Sequence, residues 1–149
     1  MTRIEVIGAG VAGLAVATEL ASRGARVRLV ERAATPGPAQ CSWWAGGMLA
    51  PDCEGETAEE PVVRLGREAA DWWESHAGGV TRAGSLVVAL GRDRRELDRF
   101  ARRTANHVWC DADGVAEIEP DLAGRADRAL FFAGEAHLDP RAALAALSE

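Results

Sequence analysis

Apolar and polar positions switch period twice within the first stretch of the chain. Residues 4–7 form a short apolar run of strand type, and they enter a glycine loop, Gly8-Ala9-Gly10-Val11-Ala12-Gly13. A helical pattern follows, with Leu14, Ala17, Leu20 and Ala21 on one face. Gly24 stands where a helix C-terminus favours a residue free to take positive φ. A second apolar run, residues 27–30, ends on Glu31. Strand, helix and strand within about thirty residues is the size of one βαβ unit.

The later pattern is less regular. Residues 33–40 hold Pro36, Gly37 and Pro38 and read as a loop. Residues 41–51, CSWWAGGMLAP, are apolar, aromatic and small, with almost no charge, which is unusual for a surface loop. Residues 59–76 predict one helix with Pro61 near its start. Its Trp72 and Trp73 read as packing groups. Residues 83–90 predict a strand closed by Gly91, and residues 92–104 an amphipathic helix with Leu97, Phe100 and Ala101 inward. Residues 115–122 read as a turn-like segment broken by Pro120, residues 129–132 as a strand, and residues 141–147 as a helix.

Each glycine of the first loop has a physical task. Gly8 permits the tight turn out of the strand, Gly10 lets the backbone approach a pyrophosphate, and Gly13 lets helix pack on strand. The helix N-terminus offers N–H groups and the positive end of its dipole to phosphates. Glu31, at the end of the second strand, can accept from ribose hydroxyls and repels a 2′-phosphate. A glycine motif alone is weak evidence, but strand, helix and acid here stand at the required places. In the second loop, Gly46 and Gly47 offer N–H groups without side chains, suited to backbone lying flat on a planar ligand.

Composition narrows the class. The chain has 149 residues, 48% of them hydrophobic, enough for a real core. A net charge of −6 argues against a nucleic-acid or anionic-membrane surface. No apolar run is long enough to span a membrane and no signal peptide is recognisable, so a cytoplasmic protein is expected. All seventeen basic residues are arginine and tyrosine is absent. That excludes a P-loop lysine, a Schiff-base lysine and a Tyr–Lys catalytic pair. Cys41, Cys53 and Cys110 lack metal-site spacing, so no metal is expected and the thiols should be reduced. Arginines 92–103 are interleaved with acids and read as a solvated face. His137 is a candidate acid–base group in a loop, with His76 and His107 behind it; none has a partner pattern that singles it out.

The spacing Gly8, Gly10, Gly13, Ala17, Gly24 and Glu31-Arg32 resembles the FAD-binding signature of the D-amino-acid oxidase family. SWWAGGMLAP resembles that family's second flavin-contacting loop. GSLVVAL, IEPDL and HLDPRAAL resemble landmarks of its glycine oxidase branch, the enzymes of thiamine biosynthesis.

The resemblance implies an α/β fold: a Rossmann-like FAD-binding βαβ domain plus the beginning of an α+β antiparallel-sheet substrate domain. Residues 1–78 and 141–149 would belong to the FAD domain and residues 79–140 would start the substrate domain. FAD contacts would come from Gly8, Gly10, Val11, Ala12, Gly13, Glu31, Arg32, Ser42, Ala45, Gly46, Gly47 and Met48. Met48 would also border the substrate. The implied reaction oxidises glycine or another small amino acid or amine to an imine with O2 as acceptor. Family members run on past position 149, and the groups that clamp the substrate carboxylate lie in that later part. The chain therefore reads as an N-terminal half, inactive alone, whose catalytic residues are unassigned. It would act with a C-terminal partner chain or as a homo-oligomer. Two other readings stand beside this one: a non-catalytic dinucleotide-binding half, and an NAD-dependent dehydrogenase.

Overall fold

The computed structural model describes residues 2–89 and 91–149. In chain order the elements are β1 (Arg3–Ile7), α1 (Val11–Ser22), β2 (Arg26–Val30), β3 (Met48–Leu49), α2 (Pro51–Glu54), α3 (Glu60–Gly66), α4 (Ala69–His76), β4 (Ser85–Val88), α5 (Arg94–Arg103), β5 (Val108–Asp111), α6 (Ala112–Ile118), β6 (Arg128–Phe132), β7 (Ala136–His137) and α7 (Pro140–Leu147). A 3-10 turn, Cys41–Trp44, follows the long loop after β2. The described residues divide into two units, 2–48 with 71–80 and 138–149, and 49–70 with 81–89 and 91–137. The elements are those of an α/β chain, and the βαβ reading of the N-terminus holds.

In the first unit β1 and β2 pair in parallel, with Ile4 opposite Val27 and Val6 opposite Leu29. Parallel neighbours need a crossover, and α1 supplies it. Leu14 of α1 is 1% exposed and packs with Ala9 and with Leu144 of α7, flanked by Leu29 and Leu147. Apolar burial of this kind contributes about 1.5–3 kcal/mol per large side chain. Trp72 is a packing group, as its sequence context predicts. Its Nε1 donates to Glu19 Oε1 at 2.6 Å, and its ring stacks on His76 with centroids 4.4 Å apart. The Trp72 donor, then Arg23, hold the Glu19 carboxyl below its ordinary range.

The second unit is built on an antiparallel sheet in the order β4-β6-β5. Leu86 and Val108 both lie opposite Phe131. Alternation along β6 sends its side chains to two cores. Leu130 and Phe132 pack with Leu97 and Phe100 of α5, while Ala129 packs with Val115 of α6 and with Ala126.

Three features depart from the sequence expectation. The helix expected over 59–76 is two helices, interrupted at Arg67 and Glu68. Gly66 lies against Pro51 so closely that an added β-carbon would sit 2.9 Å from the Pro51 Cβ, and Arg67 turns its guanidinium to Asp52 at 2.8 Å. Tertiary contacts break the helix there. Within the turn-like segment 115–122, residues through Ile118 are helical. Asp111 caps α6 by accepting from the Gly114 N–H at 3.0 Å, and Val115 is fully buried. The strand β5 has no counterpart in the sequence pattern, because Val108 and Trp109 are exposed and it carries little apolar alternation. Of the strand expected over 83–90, residues 85–88 are extended; Leu90 lies outside the described residues.

Residues 49–70 pack in the second unit, although they precede it in sequence. Asp52 accepts from Arg67 and from Asn106 Nδ2 at 3.1 Å, and the buried Glu135 carboxylate accepts from the Cys53 N–H at 2.7 Å. Burial, and then the Glu135 carboxylate, push the Cys53 thiol well above the usual range, so it is an inert packing group.

Candidate functional site

The glycine loop is shaped by backbone contacts that only glycine allows. Gly8 takes φ +101° and donates its N–H to the Val30 carbonyl at 2.8 Å, tying the end of β1 to β2. At Gly13 a β-carbon would run into the Gly8 carbonyl oxygen, so helix and turn touch backbone to backbone. Gly10 is the N-cap of α1, has no side chain to cap the helix, and is followed by a first turn without acidic residues. The dipole of this twelve-residue helix and the first-turn N–H groups of Ala12 and Gly13 therefore face an anion at its N-terminus.

Ser42 reaches this helix end from 31 residues away. Its Oγ accepts the Val11 N–H at 3.0 Å, and a β-carbon on Gly10 would stand only 3.1 Å from it. The hydroxyl keeps its own proton to donate. Val11 and Ala12 are exposed at the mouth of the loop.

Glu31 sits at the end of β2. Its Oε2 accepts from the Ala9 N–H at 2.8 Å, and its Oε1 accepts from the Arg32 N–H at 2.7 Å and the Ala33 N–H at 3.3 Å. Three backbone donors, Ala9 first, bring its carboxyl down to about 2. A carboxylate has about four lone-pair directions, and Oε2 has one left for a hydroxyl. Arg32 is exposed, and in these bonds only its backbone takes part. Gln40 adds a lesser lowering influence on Glu31, and its buried Nε2 completes no hydrogen bond. That orphaned donor beside a carboxylate escaped the sequence reading, since Gln40 ends a loop of turn residues and no periodicity marks it.

The second loop is held at its start and end. Ser42 anchors the first end. Trp44 Nε1 donates to the Pro38 carbonyl at 3.0 Å, and Arg141 lies over the tryptophan pair. Gly47 takes φ +71°, its β-carbon position is blocked by the Leu138 carbonyl, and its own carbonyl accepts the Leu138 N–H at 2.9 Å. Between the anchors Ala45 and Gly46 are exposed, and Met48 is 63% exposed.

The structure thus joins Gly8, Gly10, Val11, Ala12, Gly13, Glu31 and Ser42 around one helix end. Ala45, Gly46, Gly47 and Met48 extend from Ser42 along the second loop. The donor set fits a dinucleotide: backbone N–H groups and a hydroxyl for a pyrophosphate, a carboxylate for ribose hydroxyls. The histidines do not join this group. His76 stacks on Trp72, while His107 and the exposed His137 belong to the second unit. Among the described residues no three side chains of ligating type gather as a metal site, and no helix is long and apolar enough to cross a membrane.

Residues 3–149 match the DAO family, described as FAD dependent oxidoreductase. A Rhizobium etli protein named as a thiamine biosynthesis oxidoreductase, ThiO, is 64% identical over 147 residues, covering 98% of this chain and 45% of that protein. Glycine oxidase from Geobacillus kaustophilus is similar in structure, with a TM-score of 0.75 at 25% identity, over 99% of this chain and 44% of the other. Glycine oxidase from Bacillus cereus shows the same fold, with a TM-score of 0.73 at 24% identity, over 99% and 43% of the two chains. The chain spans less than half the length of these relatives.

Proposed function

The chain belongs to the DAO family of FAD dependent oxidoreductases, and from that premise we propose that it helps oxidise glycine or another small amino acid or amine. The C–N single bond becomes C=N; the substrate gives up two electrons and two protons, and O2 takes them to become hydrogen peroxide. Bound FAD supplies the two-electron carrier for that exchange. FAD dependence also sets aside the NAD-dependent dehydrogenase alternative.

One observation carries the reading. A glycine-only turn, a helix N-terminus whose N-cap is a glycine and whose first N–H is met by the Ser42 hydroxyl, and a carboxylate at the end of β2 converge within the first unit. Gly8, Gly10 and Gly13 would leave room for the pyrophosphate, and the Val11, Ala12 and Gly13 backbone would face it. Ser42 would donate its hydroxyl proton to the same group, and Gln40 Nε2 to a neighbouring oxygen. Glu31 would take a ribose hydroxyl on Oε2 and repel a 2′-phosphate. Arg32 would border the nucleotide end. Ala45, Gly46 and Gly47 would lie along the planar ring system, with Met48 limiting the space for a substrate side chain.

The names of the relatives support a small amine as substrate and a place in thiamine biosynthesis. The same proposal gives the cofactor side to residues 1–78 and 141–149, of which 49–70 pack with the second unit, and the substrate side to residues 79–140. It takes the group that pairs with the substrate carboxylate from outside these 149 residues, because the relatives matched are more than twice as long. That group would come from a partner chain or from further polypeptide; a homo-oligomer is the alternative to a partner chain, and a cytoplasmic setting completes the reading.

The test separates cofactor from turnover. Titration with FAD should quench flavin fluorescence saturably, and excess NADP+ should not compete. Anaerobic addition of glycine, sarcosine or D-alanine should bleach the bound flavin only when the complementary half is supplied. Failure of FAD to bind saturably would remove the cofactor reading. Bleaching by none of the amines with the complementary half present would remove the substrate reading.

A further inference from the structure

Trp43 and Trp44 lie in the 3-10 turn that carries Ser42; Trp43 is half-buried, and burial alone does not fix the pair. Trp44 is 65% exposed. Their order has another source. The Arg141 guanidinium carbon lies 4.9 Å from the centroid of Trp43 and 5.5 Å from that of Trp44, and its Nε donates to the Trp43 carbonyl at 3.3 Å. A guanidinium stacks on aromatic faces and keeps its fork of donors in one plane, so a single side chain can hold rings and backbone together.

The backbone of Arg141 is fixed, although its side chain is exposed. Asp139 caps α7 by accepting from the Arg141 N–H at 2.8 Å and the Ala142 N–H at 3.2 Å. One turn further along α7, Leu144 is 2% exposed and packs against Leu14 of α1. The residue before the cap, Leu138, bonds the far end of the same loop at Gly47. The start of α7 therefore grips both ends of the segment 42–47 while its apolar side is locked to the helix whose N-terminus Ser42 meets.

We infer that Arg141 is a positioning residue for the cofactor: by clamping the tryptophan pair it keeps the Ser42 hydroxyl on the N-terminus of α1. The inference rests on the reading of the glycine loop and the Ser42–Met48 loop as the FAD site. The Arg141 side chain meets Trp43 and Trp44, and through that turn it acts on Ser42. Without it, Ser42 samples positions away from the Val11 N–H, and the site must order the loop again on binding.

The experiment compares the wild-type chain with Arg141→Ala, Arg141→Lys, Ser42→Ala, the Arg141→Ala/Ser42→Ala double variant and Gly10→Val. Circular dichroism and thermal melting check folding, and Arg141→Lys serves as the folded variant should the alanine form fail. Two quantities are read: amide hydrogen exchange over residues 42–47, and the FAD dissociation constant. In Arg141→Ala, exchange in the loop should speed up while α1 beyond its first turn stays protected, and FAD affinity should fall about 5–20-fold, the scale of two exposed cation–π contacts. Arg141→Lys should fall between, since an ammonium keeps the charge and loses the planar stack. The double variant should bind little more weakly than Ser42→Ala alone. Unchanged FAD affinity in Arg141→Ala, or additive losses with Ser42→Ala, would overturn the positioning role even where Gly10→Val abolishes binding. Undiminished binding in Gly10→Val would overturn the site reading itself, and the inference with it.

Discussion

The two loops of the first unit meet at one hydrogen bond, Val11 N–H to Ser42 Oγ, yet their shapes have different causes. The glycine loop is fixed from within. Gly13 touches Gly8, Gly8 is tied to Val30, and Glu31 to Ala9, all inside the βαβ segment. The second loop is fixed from outside. Its two ends are held by α1 and by the start of α7, and its tryptophans by an arginine 97 and 98 positions later in the chain. A loop whose constraints are local can be read off a short window of sequence. A loop held by distant groups shows in its own sequence only that it is small and apolar, and not what holds it.

The largest effect is expected at Gly13. Gly13→Ala places a β-carbon against the Gly8 carbonyl and should destabilise the first unit by more than about 3 kcal/mol, measured by denaturant unfolding. The matching change in the second loop is Gly47→Ala, which meets both a positive φ and the Leu138 carbonyl. It should destabilise by about 2–3 kcal/mol, with the loss confined in hydrogen exchange to the second loop and the start of α7. Equal and local effects at the two glycines would erase the distinction between a framework loop and a suspended one.

The same contrast explains what was legible in the chain. The N-terminal strand, helix and strand were readable because Ile4–Ile7, Leu14 and Val27–Val30 carry their period in adjacent residues. The helices α5 and α7 and the strand β6 were readable for the same reason. The break at Arg67 was not, because its cause lies at Pro51 and Asp52. Helix α6 was hidden by Pro120, which follows its last turn and does not interrupt it. Of the site, the glycines, Glu31 and Ser42 were found by motif. Gln40 and Arg141 were not, since the roles of both depend on which residues the fold places beside them.

A smaller effect is expected at Glu31, whose carboxylate serves both the loop and the proposed ribose. Glu31→Ala should weaken FAD binding about 5–20-fold, the scale of losing a charge-assisted hydrogen bond, as read by titration. It also carries a pH signature. Backbone donors, Ala9 first, hold the carboxyl at about 2, below its ordinary value of 4.5. The folded state thus binds the proton more weakly than the unfolded chain, so the stabilisation is complete above pH 4.5 and is lost as the pH falls through about 2. Melting temperatures of Glu31→Gln should therefore fall less steeply over that window than those of the wild type. Parallel curves would mean the carboxylate holds nothing in the folded loop.

The smallest effect on the cofactor is expected at Met48, which is largely exposed. Met48→Ala and Met48→Phe should change FAD affinity by less than about 0.5 kcal/mol, as surface substitutions usually do. In the enzyme with its complementary half they should still alter the ranking of glycine against bulkier amines. A flat ranking would leave Met48 outside the substrate site.

In the proposed reading the glycine loop at the start of α1 holds the FAD. Calorimetric titration of FAD into the wild-type chain and into Gly10→Val tests it most directly, with circular dichroism showing that both are folded. A valine side chain would fill the space beside Ser42 that the pyrophosphate needs. Saturable binding by the wild type and no measurable heat with Gly10→Val is the predicted result. Equal affinity in the two folded proteins would contradict it.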